Sequence, residues 1–261
     1  MANVLVTPSQ FRGMRFGTQV LLFRLSVILA VLVGWEALSR SGMLFQDVVP
    51  SLIEIAGALI WLFQNPAFYA NLGVTAWEIG VAISIGGAAG LLVGIMLGSS
   101  PFLARTYEPF LFYLGPTPKI IFFPLLIMWF GVGPGSKVAL GAVSCFFPIA
   151  ISTAAGIRSI DSVLIRVGRS FGVSRLQMIT KIYFPAIRIP AINGLRLGLG
   201  IAIIGTVLAE TKLSNQGIGY MVIQTYTTFD MPRMYALLIT LFVAAIGLNA
   251  LIDKFGRSIR G

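Results

Sequence analysis

The chain has 261 residues, of which 57% are hydrophobic and 11% are charged, whereas a soluble domain carries about 25% charged residues. This composition indicates a protein that crosses a membrane several times. Histidine is absent and Cys145 is the single cysteine, which excludes a disulfide within the chain, a metal site built from Cys and His, and a catalytic triad with His. The net charge of the chain is +10. Basic residues that interrupt apolar spans are typical of the cytoplasmic loops of a membrane protein, so nucleic-acid binding is not expected.

Six apolar stretches are long enough to cross a bilayer, which takes about 20 helical residues. They are Val20–Leu38, Thr75–Leu97, Pro109–Phe130, Val138–Ile157, Ala191–Ala209 and Met234–Ile252. Only helices and closed barrels satisfy the backbone inside a membrane, and no barrel-type alternation is present, so the predicted fold class is all-α. The first run lacks a cleavage signal and is predicted to be retained. A six-span domain over residues 20–252 then lies between tails at 1–19 and 253–261.

The distribution of Lys and Arg predicts which side of the membrane each connection faces, because cytoplasmic loops carry an excess of basic residues. An even number of spans puts both termini on one side. If that side is the cytoplasm, the inner segments hold fourteen basic residues and the outer segments hold four, which are Arg40, Lys137, Lys212 and Arg233. Both termini are therefore predicted to be cytoplasmic, and the longest inner loop covers residues 158–190.

Four glycines recur at every fourth position of the second span, at Gly86, Gly90, Gly94 and Gly98. This spacing puts them on one face of a helix, where small residues let another helix approach closely. Two interpretations remain open at this point. The face packs either against another helix of the same subunit or against a second subunit.

The third span contains Pro109, Pro116, Pro118 and Pro124. Proline removes an intrahelical hydrogen bond and kinks a helix, and such breaks are tolerated where protein or water satisfies the freed backbone. The prolines therefore predict a helix that lines a transport pathway. A kinked helix that is simply buried is the alternative.

Two charged residues inside or beside the spans are further candidates for the pathway. Lys119 falls within the third span, where a charge is costly and marks function by default. It could attract an anion in the pathway, or it could snorkel or cap carbonyl groups freed by the prolines. Glu210 lies at the outer end of the fifth span, where it could help to close an outer gate or could be an ordinary interfacial carboxylate.

The inner loop is predicted to form two short helices. The first places apolar residues on one face and arginines on the other, namely Val163, Leu164, Val167 and Phe171 against Arg166 and Arg169. Gly172 permits the turn, for which a positive φ is expected. Ser174 is a plausible N-cap of the second helix, and Pro185 is expected to end that helix. The alternative is an amphipathic loop that rests on anionic lipid.

The second half of this loop resembles the cytoplasmic loop of importer-type ABC transporter permeases. Their loop reads Glu-Ala-Ala, three residues, Gly, nine residues and Ile-x-Leu-Pro. Here Gly172 is followed after nine residues by Ile182 and then Pro185, whereas Arg166, Val167 and Gly168 stand where Glu-Ala-Ala is expected. The segments PTPKIIFFPLLIMWFGVG, GLRLGLGIAIIGTVLAE and NQGIGYMV are similar to permeases of nitrate, sulfonate or taurine, and bicarbonate importers.

The resemblance implies that the loop is a coupling helix seated in a groove of a cytoplasmic ATPase. The expected contact residues are Arg166, Val167, Gly168, Arg169, Gly172, Ser174, Arg175, Ile182 and Pro185. The implied assembly contains two permease subunits, two ATPase subunits and an external solute-binding protein, in the inner membrane of a bacterium. The fifth spans, around residues 194–205, are expected to approach each other across a two-fold axis, and the solute is expected to be small and anionic.

No G-x-x-x-x-G-K-[ST] loop occurs in the chain, so ATP and Mg²⁺ are expected on the partner ATPase and no cofactor on this chain. A secondary transporter or channel that works without an ATPase is the alternative function. An intramembrane enzyme is disfavoured by the missing histidine and by an expected lack of paired carboxylates in the spans.

Overall fold

The computed structural model describes residues 13–43 and 48–258. All regular elements in these two ranges are helical. They are α1 (Gly13–Arg40), α2 (Leu52–Gln64), α3 (Pro66–Ser99), α4 (Pro101–Leu114), a 3₁₀ turn (Lys119–Phe122), α5 (Phe123–Phe130), α6 (Pro134–Arg158), α7 (Ser162–Ser170), α8 (Arg175–Met178), a π turn (Ile179–Tyr183), α9 (Phe184–Lys212), α10 (Ile218–Thr227) and α11 (Met231–Ser258). The predicted all-α class is confirmed.

Helices long and apolar enough to span a membrane overlap the predicted spans, and several extend beyond the predicted bounds. Five single helices in the described residues meet this test, and a bent pair of helices raises the number to six when it is taken as one span. The helices α2 and α10 are too short to be spans, and the sequence analysis did not predict them. Ser51 caps α2, since Glu54 N donates to the Ser51 hydroxyl while Ser51 N donates to the Glu54 carboxylate.

The third predicted span is not one kinked helix. Pro101–Leu114 and Lys119–Phe130 meet at an angle of 88°, so the chain turns through about a right angle in the middle of the stretch. Pro116 and Pro118 lie in the break between the two helices, where neither could donate a backbone hydrogen bond. Pro109 lies inside α4 and Pro124 in the first turn of α5.

Helix α6 forms the centre of the bundle, with α3 along one side and α9 along the other. The glycine face of α3 points at α6 within the same chain, which decides between the two interpretations of that face. A Cβ atom at Gly94 would lie 2.6 Å from Thr153 Cβ, and one at Gly90 would lie 2.9 Å from the Phe146 carbonyl oxygen. Larger residues would therefore push these two helices apart.

Helix α1 lies at the periphery of the bundle, and none of its most apolar stretch is buried. Its last turns are fixed by polar contacts to the following segment. Trp35 Nε1 donates to the Pro50 carbonyl over 3.0 Å, and Leu52 N donates to the Glu36 carboxylate over 3.0 Å. The Trp35 ring also meets Tyr235 of α11 edge to face.

The bundle has a Gly133 end and an Arg158 end. At the Gly133 end, α6 begins, α9 ends and α10 follows. At the Arg158 end, α6 ends and is followed by α7, α8 and the π turn.

Candidate functional site

The helical knob at the Arg158 end consists of residues 162–183. Asp161 caps its first helix, because Val163 N donates to the Asp161 carboxylate over 2.8 Å. Gly172 then turns the chain with a φ of +66°, the left-handed region that favours glycine. Ser174 begins the second helix with a reciprocal cap, since Gln177 N donates to its hydroxyl while Ser174 N donates to Gln177 Oε1. The predicted turn and N-cap are confirmed.

The two helices of the knob touch at Gly168. This glycine is buried, and a Cβ atom there would lie 2.6 Å from Ile182 Cδ1 and 3.2 Å from Met178 Cε. Val173 N also donates to the Gly168 carbonyl over 3.1 Å. Any residue larger than glycine at this position would displace Ile182. Gly168 and Ile182, two of the predicted contact residues, therefore lie against each other inside the knob.

Pro185 does not end the second helix, contrary to the prediction. The helical path continues from Arg175 through α8 and the π turn into α9, and Pro185 occupies the first turn of α9. The π turn at Ile179–Tyr183 directly precedes this proline. A wider local turn is one of the ways in which a helix accommodates a proline that cannot donate.

The outer surface of the knob combines apolar and basic side chains. Apolar side chains that are exposed include Val163, Leu164, Val167, Phe171 and Leu176. Arg166 and Arg169 are exposed too, whereas the side chain of Arg175 lies outside the described residues. Phe171 is 82% exposed, and together with its exposed apolar neighbours it forms a surface typical of an interaction site, with another protein or with lipid.

Lys119 caps the break between α4 and α5. Its Nζ donates to the Gly115 carbonyl and, over 3.1 Å, to the Thr117 carbonyl. It also lies 4.8 Å from the centre of the Phe147 ring. The capping of freed carbonyls, one of the alternatives for this residue, is thus seen directly. Pro116, Pro118 and Pro124 are exposed around it.

The Gly133 end contains a buried polar cluster, defined here as Thr75, Glu78, Lys137 and Glu210, which come from α3, α6 and α9. None of the four is more than 3% exposed. The two carboxyl groups and the Lys137 ammonium lie close enough to interact electrostatically. A pair of carboxyls within the spans therefore exists, and the expectation that it is lacking was wrong.

Glu210 ties the start of α10 to the bundle. Its carboxylate accepts a hydrogen bond from the Thr75 hydroxyl over 2.7 Å and one from Gly219 N over 2.6 Å. The Thr75 hydroxyl in turn accepts from Ile218 N over 2.8 Å. These bonds satisfy amide groups at a helix start that have no partner within the helix, and a negative charge is favourable there.

Glycine is required where α10 meets Glu210. Gly217 has a φ of +102°, and a Cβ atom on it would lie 2.6 Å from Glu210 Oε2. A Cβ atom on Gly219 would lie 2.7 Å from Glu210 Cβ. The two glycines in the Gly-Ile-Gly part of NQGIGYMV therefore allow the backbone at the start of α10 to approach the Glu210 carboxylate closely. Glu210 is a buried anchor and not an interfacial carboxylate.

Lys137 is buried within the bundle, although the sequence analysis counted it among the outer connections. The reason is that α6 begins at Pro134, before the predicted span. The Lys137 side chain folds back, and its Nζ donates to the Val132 carbonyl and, over 3.0 Å, to the Gly133 carbonyl. It thereby satisfies carbonyl groups in the turn that precedes α6.

A cavity of about 360 Å³ adjoins this cluster. Its walls come from α3, from the start of α6 and from the segment between α9 and α10. Glu78 and Lys137 both line it, and Glu78 Oε2 is buried without a hydrogen-bond partner. Sequence reasoning missed Glu78 and did not single out Lys137. The rule that an ionisable residue within a span marks function would have found both.

Comparison with known proteins agrees with the fold. Residues 86–261 match the family described as "Binding-protein-dependent transport system inner membrane component". The protein SsuC of Bacillus subtilis strain 168, named for transport of aliphatic sulfonates, is 31% identical over 93% of this chain and 86% of SsuC. TauC, the taurine transport system permease protein of Escherichia coli K12, is 31% identical over 79% of this chain and 76% of TauC.

A solved structure has the same fold over nearly the whole chain. It is that of a bacterial ABC transporter involved in the import of the acidic polysaccharide alginate. The TM-score is 0.66 at 16% sequence identity, and the match covers 96% of this chain and 99% of that chain.

Proposed function

Because the chain belongs to the family of binding-protein-dependent transport system inner membrane components, we propose that two copies of it form the pathway of an importer for a small anionic solute. The chain is the membrane-spanning permease subunit of an ABC importer and not an enzyme. Its partners are a separate ATPase subunit and a solute-binding protein. We place ATP and Mg²⁺ on two copies of that ATPase.

The observation that carries the coupling proposal is the exposed knob. Its apolar residues have no cover within the described chain, and its arginines add a positive rim. A groove on the ATPase would cover Phe171 and Leu176, and the rim would meet acidic groups on the ATPase. Movement of the ATPase pair would then displace the knob and, with it, α9.

The coupling proposal is tested with Gly172→Val. A β-branched residue at a φ of +66° is strained, although a Cβ atom there meets nothing within 4 Å, so the variant distorts the turn without a clash. We expect the ATPase to dissociate, or to hydrolyse ATP without uptake of solute. Gly42→Val is the matched control, because Gly42 has the same φ of +66° in open space but lies far from the knob along the chain. Normal co-purification and uptake for Gly172→Val would contradict the proposal.

The packing of α9 within the chain limits which of its faces can contact a second copy. Gly194, Gly198 and Gly205 face α6 of the same chain, so they are not available to a second subunit. A different face of α9 carries exposed apolar residues, among them Leu197 and Ile204. We propose that this side, within the predicted stretch of residues 194–205, approaches its equivalent across the two-fold axis, and that lipid covers the exposed apolar surface of α1.

Cysteine crosslinking tests the two-copy arrangement. In a Cys145→Ala background, Ile204→Cys should crosslink between copies, whereas Gly205→Cys should not, because it faces α6. Crosslinking at neither position, nor at Leu197→Cys, would count against this interface.

We also propose the orientation with both termini in the cytoplasm, which the excess of Lys and Arg in the corresponding connections supports. Reporter fusions after Arg40 and after Asp230 should then report the outer side, and a fusion after Ile160 the inner side. Cytoplasmic signals at both outer positions would contradict the orientation.

An anionic solute is supported by the names of two relatives, which refer to aliphatic sulfonates and to taurine. Within the chain, the exposed prolines beside Lys119 fit a wall of the pathway. Uptake assays with purified permease, ATPase and solute-binding protein in vesicles would identify the solute, and a preference for uncharged solutes would contradict the proposal.

A further inference from the structure

The proposed function gives no role to a groove at the Arg158 end of the bundle. The groove follows one face of α4 from Pro101 to Tyr113, and Arg158 of α6 lines its side. The α4 residues that line it recur at steps of three and four, which places them on one face of the helix. Its volume of about 610 Å³ lies in the range of small-molecule sites, about 300–1,000 Å³.

Charged and aromatic side chains are separated along this groove. Helix α4 begins directly after α3 ends, at the Arg158 end. Arg105 and Glu108 come first along α4, and Phe112 and Tyr113 follow in its last turn. These two aromatic residues are 52% and 81% exposed. The groove is therefore charged near the end of the bundle and apolar towards its middle, which suits a ligand with a polar head and an apolar tail.

The charges of the groove give the sign of that head. Arg158 donates a hydrogen bond to the Glu108 carboxylate, so these two charges balance each other. Arg105 is exposed and has no ion-pair partner among the residues that the structure describes. Two arginines against one glutamate leave an excess of one positive charge, which a phosphodiester with a single negative charge would balance.

In the proposed orientation, the charged part of the groove lies at the inner surface of the membrane. The spans α3 and α6 both end there, at Ser99 and Arg158. The cytoplasmic leaflet carries anionic lipids, and basic pockets between spans on that side bind anionic headgroups. Helix α4 has 14 residues, or about 21 Å at 1.5 Å per residue. This length exceeds half of a hydrocarbon core about 30 Å thick, so the groove can follow a lipid from its headgroup into one leaflet.

We propose that this groove binds an anionic phospholipid, with the headgroup phosphate at Arg105 and Arg158 and an acyl chain along Pro109 and Phe112. The site is separate from the knob and from the apolar surface of α1. The inference goes beyond the transport function and does not depend on which solute is carried. The bound lipid would cover the exposed face of α4, whose other side packs through Leu111 on the bundle.

The lipid preference of the groove can be measured at one labelled position. Phe112→Cys in a Cys145→Ala background carries a bimane fluorophore, and the labelled full chain is then combined with its ATPase in phosphatidylcholine nanodiscs. Bromine atoms on the acyl chains quench a fluorophore that they touch. The nanodiscs contain increasing mole fractions of brominated phosphatidylglycerol, which has one negative charge, or of brominated phosphatidylcholine, which is zwitterionic. The ratio of the two half-quenching mole fractions gives the preference.

We expect phosphatidylglycerol to be preferred, and Arg105→Gln to lower the preference about fivefold, the effect of one basic residue at an anionic membrane surface. Glu108→Gln should raise the preference, because it removes the negative charge of the groove. Arg188→Gln is the matched control. Arg188 is an exposed arginine of α9 that does not line the groove, and its substitution should leave the preference unchanged.

The same label at Phe242→Cys reports ordinary contact with lipid, since Phe242 is an exposed residue of α11 outside the groove. No preference should appear there. Equal preferences at the two positions would overturn the proposal. An unquenched label at Phe112→Cys would also overturn it, because a second copy or another protein would then cover the groove.

A last measurement separates a lipid from a soluble anion. Sodium ethanesulfonate should release phosphatidylglycerol from the groove no more than sodium chloride does at equal ionic strength. Greater release by the sulfonate would assign the groove to a soluble anion and would overturn the lipid site. None of these outcomes bears on coupling through the knob, so the two proposals fail separately.

Discussion

The two ends of this permease differ in the kind of group that they bury and expose. At the Gly133 end, polar and charged groups are buried, and most of their hydrogen bonds are made within the chain. At the Arg158 end, apolar groups such as Phe171 are exposed and have no cover within the described residues. The first end is stabilised from within, whereas the second leaves apolar surface that the proposed ATPase contact would cover. Substitutions at the Gly133 end should therefore act on the stability of the isolated subunit, and substitutions at the Arg158 end on assembly.

The largest expected effect is that of Glu210→Ala. It removes the acceptor of Thr75 and of Gly219 N and leaves the buried Lys137 ammonium with less compensation. Breaking a buried charge network in this way costs about 3–5 kcal/mol. Thermal unfolding of the purified subunit in detergent measures the loss.

The control for Glu210→Ala is Glu108→Ala. Glu108 pairs with Arg158, whose side chain is 39% exposed, and such partly exposed pairs contribute about 0–1 kcal/mol. If both variants lowered the unfolding temperature equally, the cluster would not be the anchor of the Gly133 end.

Two glycines with positive φ allow the ends to be compared with the same substitution. Gly217→Ala adds both backbone strain and a clash with Glu210, for about 2–4 kcal/mol in total. Gly172→Ala adds only the strain of an open turn, about 1–2 kcal/mol. Unfolding of the two variants in parallel measures the difference, and the reverse order would show that the turn of the knob is the more constrained.

Phe171→Ser should separate assembly from stability. Because Phe171 makes little contact within the chain, its replacement should change the free energy of unfolding by no more than about 0.5 kcal/mol. Binding of the ATPase should nevertheless weaken at least about tenfold, since buried aromatic anchors dominate interfaces.

The matched control for this prediction is Phe242→Ser, another exposed aromatic residue, on α11 and far from the knob along the chain. ATPase affinity, measured by titration of the detergent-solubilised permease, should be unchanged for this control. A similar loss for both variants would mean that Phe171 has no special part in docking.

Lys119→Met removes hydrogen bonds to two carbonyls at the partly buried break and should lower the free energy of unfolding by about 1 kcal/mol. If Lys119 also serves the pathway, uptake should fall while the ATPase stays bound. Lys119→Arg should retain most of the uptake. Unchanged uptake for Lys119→Met would leave capping as the one role of this residue.

The sequence was sufficient to predict the features that depend on length, composition and local geometry. The spans follow from apolar runs, and the turn at Gly172 and the cap at Ser174 follow from residue type and spacing. The continuation of the helix through Pro185 could not be predicted, because it depends on a π turn that absorbs the missing donor. The break of the third span was expected as a kink, and four prolines alone do not fix an angle of 88°.

The polar cluster shows why the site at the Gly133 end was harder to predict. Glu78, Lys137 and Glu210 are separated by many residues along the chain and meet only after α3, α6 and α9 pack together. The sequence shows that each of these ionisable side chains is costly within a membrane. It does not show that the three side chains lie together in one buried cluster. The start of α6 at Pro134, four residues before the predicted span, decides that Lys137 lies inside.

The uninterrupted helical path from the knob to the buried anchor has a mechanical consequence. Leu176–Lys212 is a helical run of 37 residues, or about 55 Å at 1.5 Å per residue. A helix is stiff along its axis, so this run can act as a rod. A displacement of its Leu176 end would be transmitted to its Lys212 end, because no loop lies between them to absorb the movement. In the proposed coupling, the π turn, with Pro185 just after it, would be a joint of this rod, close to the tip that the ATPase would move and far from Glu210.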